Sequence, residues 1–88
     1  MPSIARFRDI IVYMYTEYNE VHHLPHFHVK YAGNWASFSL NPPTLLAGSI
    51  PRRQLRYVLA WAEMYTSELE ENWQLVQIGQ QPKPIPGL

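Results

Sequence analysis

All four histidines of this 88-residue chain fall within one short segment, "HHLPHFHVK", which runs from His22 to Lys30. Imidazole titrates near neutral pH without help from its surroundings, and it is also a common ligand of metal ions. The cluster therefore has three interpretations: proton transfer, metal binding, or polar residues on a solvated surface. The residue types alone leave all three open.

The stretch "HFHVKY" alternates as a β-strand does, which predicts that His26, His28 and Lys30 share one face. Side chains two residues apart on a strand are about 7 Å apart at Cα, close enough to act on one group. Metal-free RNA cleavage uses one neutral and one charged imidazole, together with a cation that stabilises the phosphate. His26 and His28 are therefore candidate catalytic residues, with His22 assisting from the preceding loop and Lys30 binding phosphate.

The same histidines also fit a metal site, because the spacing H-x-x-x-H-x-H allows His22, His26 and His28 to converge on one ion. Zinc or another divalent transition metal accepts three nitrogen ligands of this kind and keeps a position for water. The chain has no cysteine, and its nearest acids are Glu17 and Glu20. Proton transfer by the histidines needs no cofactor, whereas this alternative requires the metal ion.

A second group of charges lies in "PRRQLR", where Arg52, Arg53 and Arg56 occupy the first turns of a predicted helix. Positive charge is unfavourable there because the helix N-terminus already carries partial positive charge. Arg52 and Arg56 are also like charges four residues apart, which costs a few tenths of a kcal/mol. A phosphate would be stabilised by both the dipole and the guanidinium groups, so the three arginines are predicted to bind phosphate. The alternative is a surface cluster offset by acids such as Glu63.

Tyr57, Trp61 and Met64 form a second apolar stripe on the predicted helix, at spacing i, i+4, i+7. A helix packed on one sheet needs only one apolar stripe, and the stripe through Leu55 and Leu59 supplies it. The second stripe is therefore predicted to be a partner interface, either in a homodimer or with a neighbouring small protein. Burial under the C-terminal tail is the alternative.

The elements that carry these residues divide the chain into a β-rich half and a helical half. Strands are predicted at "SIARF", "IIVYMY", "HFHVKY" and "WASFSL", and "NPPT" is expected to end the sheet because proline cannot continue a central strand. The sequence predicts an α+β fold: a small antiparallel sheet of three to four strands, followed by one long bent helix or two helices packed on one face. Residues 1–79 form a single domain, and residues 80–88 are a Pro-rich tail.

Composition limits the classes of function. The length allows one domain, and zero net charge with a pI near 6.9 excludes a basic field over the whole molecule, although a local basic patch is compatible with it. No apolar run approaches the length that spans a membrane, and "MPSIARFRD" lacks the apolar region of a signal peptide. The expectation is a cytoplasmic protein that does not act at a membrane.

Several segments, among them "PHFHVKYAG", "WASFSL" and "PRRQLRYVLAW", resemble the small bacterial family catalogued as domain of unknown function 4160. The most specific part is a P-H-x-H-V core, here Pro25, His26, His28 and Val29, with His22 upstream. The resemblance implies a small α+β protein of bacterial or phage origin. Members are often encoded beside another small protein and suspected of being toxin components, so it also implies a cognate antitoxin as partner. It supplies no mechanism, because the family's activity is not established.

Overall fold

The computed structural model describes residues 3–15 and 24–88. Five strands form one antiparallel sheet in chain order: β1 (Ser3–Phe7), β2 (Ile10–Tyr13), β3 (His26–Tyr31), β4 (Asn34–Leu40) and β5 (Pro43–Gly48). Two helices follow, α1 (Arg52–Met64) and α2 (Thr66–Gln77). The predicted α+β class is confirmed, with one strand more than the expected three to four.

The additional strand is β5, which begins at Pro43. The expectation that "NPPT" ends the sheet is wrong, because β5 lies at the edge and pairs with β4 alone. Proline is tolerated at the first residue of an edge strand, where its missing N–H does not interrupt the ladder. The rule against proline applies to central strands, and β5 is not a central strand.

Two tight turns fix which side chains face which way. Arg8 and Asp9 join β1 to β2 with φ of 50° and 64°, and Ala32 and Gly33 join β3 to β4 with φ of 48° and 83°. Two successive positive φ angles are what a two-residue type I′ hairpin requires. Since a slip of one residue would turn every side chain to the opposite face, these turns determine the two faces of the sheet.

The helices cover one side of the sheet, the inner face. Trp61 of α1 is fully buried there, with its ring centroid 5.4 Å from that of Phe7 and 5.9 Å from that of Phe27. The main helical stripe is buried or half-buried as the spacing predicts, at Leu55, Val58, Leu59, Ala62, Leu69, Trp73 and Val76. The core therefore lies between α1, α2 and the inner face.

The helical half consists of two helices separated at Tyr65, not one bent helix. The Thr66 hydroxyl donates to the Ala62 carbonyl at 3.1 Å, so the start of α2 remains bonded to α1. Gly79 follows α2 with φ of 78°, the left-handed conformation that commonly terminates helices. Neither helix of the described chain has the length and apolarity to cross a membrane.

The C-terminal tail packs against the domain along β1 and α1. Ile85 is buried, and its N–H donates to the Ile4 carbonyl at 2.7 Å, which covers the edge of β1. The Trp61 indole donates to the Pro86 carbonyl at 2.8 Å. Burial under the tail, the alternative explanation of the second stripe, therefore accounts for Trp61. Of residues 80–88, Ile85 is the one that joins the hydrophobic core.

Asn72 connects α2 to the tail and provides a test of this packing. Its amide donates to the Lys83 carbonyl at 2.8 Å and accepts from the Lys83 N–H at 2.7 Å, at a site where Asn72 is 1% exposed. Asn72→Ala should lower the free energy of unfolding by roughly 2–3 kcal/mol in urea titrations, because two hydrogen bonds are lost. The control, Glu71→Ala at the neighbouring position, removes only an exposed ion pair to Lys83 and should change the free energy of unfolding by under about 0.5 kcal/mol. Equal effects of the two variants would contradict this account of the tail.

Candidate functional site

The outer face of the sheet, opposite the helices, carries the predicted strand residues. Phe27 and Val29 point into the core, so His26, His28 and Lys30 of the same strand point outwards. The structure therefore places these three candidate residues on one face, as their alternation predicts. Lys30 is exposed and lies opposite Trp35 across the β3–β4 pair.

Aromatic rings and imidazoles follow one another across this face and continue, beside His26, to Trp73 of α2. The ring centroid of Trp35 lies 5.6 Å from that of Tyr13, and Tyr13 is opposite His28 in the strand register. The Tyr15 ring stacks on His28 with a centroid distance of 4.7 Å. The ring of His26 lies 5.1 Å from that of His28 and 5.3 Å from that of Trp73. We call these six side chains the ring row. Tyr13, Tyr15 and Trp35 were not predicted as site residues, although the alternation of "YMY" and "WASFSL" places them on the polar side of their strands.

His26 is the most enclosed member of the ring row, at 7% exposure. Its Nδ1 lies 2.8 Å from the Leu24 carbonyl oxygen, and since a carbonyl only accepts, Nδ1 carries the hydrogen. Trp73 of α2 covers the ring from the side. A histidine held in this way is not a solvated surface residue, so the surface interpretation does not describe His26.

His28 lies between two rings of different kinds. Its imidazole is nearly parallel to the Tyr15 ring, at 15°, and meets the edge of His26 at 74°. It is half-buried and closer to the open part of the face than His26. The structure thus brings the two predicted catalytic imidazoles into direct contact, with one deep in the site and one nearer the surface.

The metal-binding alternative depends on a residue outside the described part of the chain. His22 lies there, together with Glu17 and Glu20. Within residues 3–15 and 24–88, no three histidine or acidic side chains are grouped so that they could hold a metal ion. The described residues therefore supply His26 and His28 alone to such a site.

The arginines lie on a different element from the histidines. Arg52, Arg53 and Arg56 are exposed on α1, the helix that packs on the inner face through Trp61. The first turn of α1, which is described in full, contains no acidic residue and no side-chain cap. The structure brings Lys30 to the face of the histidines and leaves the three arginines on the helical side of the sheet.

The predicted partner stripe is divided in the structure. Tyr57 is half-buried, and the Arg8 guanidinium lies 4.6 Å over its ring. Trp61 is fully buried and Met64 is 63% exposed. These three side chains do not form one accessible surface, because the tail and Arg8 occupy most of it.

Lys30 and Trp35 form the open end of the ring row. The Lys30 ammonium lies 5.7 Å from the centroid of the Trp35 ring, within cation–π distance. Trp35 is 41% exposed, a large apolar surface next to a positive charge. This end of the face can therefore contact both an aromatic group and an anion.

A groove of about 220 Å³ opens at the other end of the ring row, beside Trp73. We call it the β4–α2 groove; it is lined by Leu24, Pro25, Ser39, Leu40, Asn41, Glu70, Trp73 and Gln74. Sequence reasoning missed it and assigned Trp73 to the core stripe. No local pattern could have found it, because its walls come from the residues before β3, the end of β4 and α2.

Fold and site together define a small α+β protein in which helices cover one face of a five-stranded sheet and the other face carries a row of rings around two histidines. The chain belongs to the family described as Domain of unknown function (DUF4160), whose family model matches residues 9–74. The match extends from the β1–β2 turn into α2 and includes His26, His28 and the three arginines. No curated protein and no solved structure matches the chain.

Proposed function

We propose that the outer face binds single-stranded RNA and that His26 and His28 transfer the protons of its cleavage, without a metal ion. The observation that carries this proposal is the ring row, with the imidazole pair inside it. The toxin role, a cognate antitoxin and a cytoplasmic location belong to the same proposal. The toxin role and the antitoxin are supported by the resemblance to the family, whose members are often encoded beside another small protein, and the cytoplasmic location is the expectation from the sequence.

Binding follows from the chemistry of an exposed, ring-bearing sheet. Unpaired bases stack on aromatic side chains, and proteins that recognise RNA often present such rings on an antiparallel sheet. Tyr13 and Trp35 supply the rings and Lys30 a charge for the phosphate. Because the chain has no net charge, stacking has to contribute more of the affinity than a general electrostatic field.

Cleavage uses groups that the RNA and the histidines already hold. One imidazole takes the proton of a ribose 2′-hydroxyl, whose oxygen attacks the adjacent phosphorus. The bond from phosphorus to the 5′ oxygen breaks, and the other imidazole, in its charged form, gives that oxygen a proton. The products are a 2′,3′-cyclic phosphate and a 5′-hydroxyl. In this scheme Nε2 is the reacting nitrogen of His26, since Nδ1 is bonded to Leu24.

The arginines have a secondary place in the proposal. Lys30 lies on the face of the histidines, two residues from His28 on the same strand, so it binds phosphate nearest the cleavage site. Arg52, Arg53 and Arg56 would contact phosphates of an RNA long enough to pass around the sheet. Their loss should therefore weaken the binding of long RNA more than that of short oligonucleotides.

The binding half of the proposal is tested at the open end of the ring row. Trp35→Ala should weaken binding of a short single-stranded RNA roughly 5- to 150-fold, since stacking on one ring contributes about 1–3 kcal/mol per base. Lys30→Ala should reduce the slope of log affinity against log salt by about 0.7, because one phosphate contact is lost. Fluorescence anisotropy over a salt series measures both. Met64→Ala, an exposed apolar residue on α1, is the control and should bind as wild type.

The cleavage half is tested by variants that remove proton transfer and keep the fold. His28→Ala should lower the cleavage rate at least about 100-fold. His26→Asn should do the same while retaining a donor to the Leu24 carbonyl, whereas His26→Ala should also lower the melting temperature. Product analysis should find a cyclic phosphate, and a 2′-deoxy substitution at the cleaved position should stop the reaction. Wild-type rates in both His28→Ala and His26→Asn would refute cleavage and leave binding intact.

We also propose a second candidate function, pairing of two copies of the chain through β5. Within the described chain the outer edge of β5 has no partner strand, and Leu45 and Leu46 are 39% and 45% exposed. The sequence has no charged residue from Tyr31 to Pro51, so the edge lacks the charges that usually prevent strands from pairing. The β5 strands of two copies can therefore pair antiparallel about a two-fold axis, and this pairing places no like charges opposite each other.

Light scattering over a dilution series tests this pairing. The wild-type chain should have the mass of a dimer at high micromolar concentration, and Leu46→Lys should be monomeric because it places like charges together at the pairing edge. Met64→Lys adds the same charge on α1 and should leave the mass unchanged. A wild-type chain that is monomeric throughout the series rules out pairing through β5.

A further inference from the structure

We infer that the β4–α2 groove is a nucleobase pocket selective for guanine. This inference rests on the proposed binding of RNA to the outer face, and it adds the base at which the RNA is recognised. The groove, at about 220 Å³, is smaller than the usual pocket of a drug-sized ligand and suits one flat ring system. The groove continues the ring row beyond His26, where a bound RNA strand would pass.

Trp73 connects the groove to the imidazole pair. Its ring lines the groove and also lies 5.3 Å from the ring of His26. A base stacked on Trp73 therefore has its ribose and phosphate next to the histidines. Leu24, Pro25 and Leu40 supply the apolar walls that hold a base out of water.

The polar lining of the groove selects among the four bases. Glu70 is exposed and presents a carboxylate, which as an ionised group only accepts hydrogen bonds. Guanine offers two adjacent donors, N1–H and the N2 amino group, and so can bind both oxygens of a carboxylate. Adenine, cytosine and uracil each present an acceptor within the corresponding edge, which would face the carboxylate with repulsion.

The remaining polar side chains are consistent with this assignment. The amides of Asn41 and Gln74 each hold donors that can bind the O6 atom of guanine. Ser39 has a different role, because its hydroxyl donates to the Pro42 carbonyl at 2.7 Å. Glu71, the next residue along α2, is paired with Lys83 and does not line the groove, so it provides a matched control.

The test measures, by fluorescence anisotropy, the binding of the wild-type chain to four short RNAs that differ only in one central base. A fifth RNA carries inosine in place of guanine at that position. The RNA with guanine should bind at least about fivefold more tightly than the other three, and inosine, which lacks the N2 amino group, should lose part of this preference. Glu70→Gln should bring all five to within about twofold of one another, whereas Glu71→Gln should keep the wild-type order.

The outcomes separate this inference from the function on which it rests. RNA binding with no preference among the bases overturns the guanine pocket and leaves the proposed function standing. A preference for guanine that persists in Glu70→Gln also overturns it, because the base is then recognised elsewhere. Absence of RNA binding by the wild-type chain overturns both. Since Glu70 is exposed, melting curves of Glu70→Gln should match those of wild type and exclude misfolding.

Discussion

The burial of the Trp61 indole is the constraint on which the rest of the structure depends. Its ring fills the space between Phe7 and Phe27, and its N–H is satisfied by the Pro86 carbonyl. Removing an aromatic side chain of this size from water contributes about 4–6 kcal/mol, comparable with the whole stability of a small domain. Because the tail supplies the hydrogen-bond acceptor, the sheet, α1 and the C-terminal residues have to fold together.

The helices pack on the inner face, and within residues 3–15 and 24–88 the rings of the outer face contact one another. His26 is bonded to the Leu24 carbonyl and lies against Trp73, so the deepest part of the face is fixed. Trp35, at the opposite end, is 41% exposed. The face is therefore enclosed at its His26 end and accessible at its Lys30 end. This arrangement suits a flexible ligand chain that is held at one point.

The sequence predicted features that arise from local periodicity. Alternation placed His26, His28 and Lys30 on one face, and helical spacing found the buried stripe, because both patterns depend only on neighbours in the chain. It left open whether Trp61 faces a partner or the tail, because its cover comes from residues about 25 positions later, and it missed the groove between β4 and α2. Those features arise from contacts between distant segments, and no periodicity reports them. The fifth strand was missed for another reason: Pro43 is compatible with an edge position, and sequence does not reveal which strand is at the edge.

The tail has a consequence beyond the core it completes. By bonding to Ile4, Ile85 occupies the edge of β1, while the outer edge of β5 has no such cover in the described chain. A sheet with two open edges can add copies at both ends and grow into a filament, whereas a sheet with one open edge can be extended only once. In the described chain, the hydrogen bond from Ile85 to Ile4 thus makes the two edges of the sheet differ in their capacity to associate. Growth by strand pairing would stop at a closed pair.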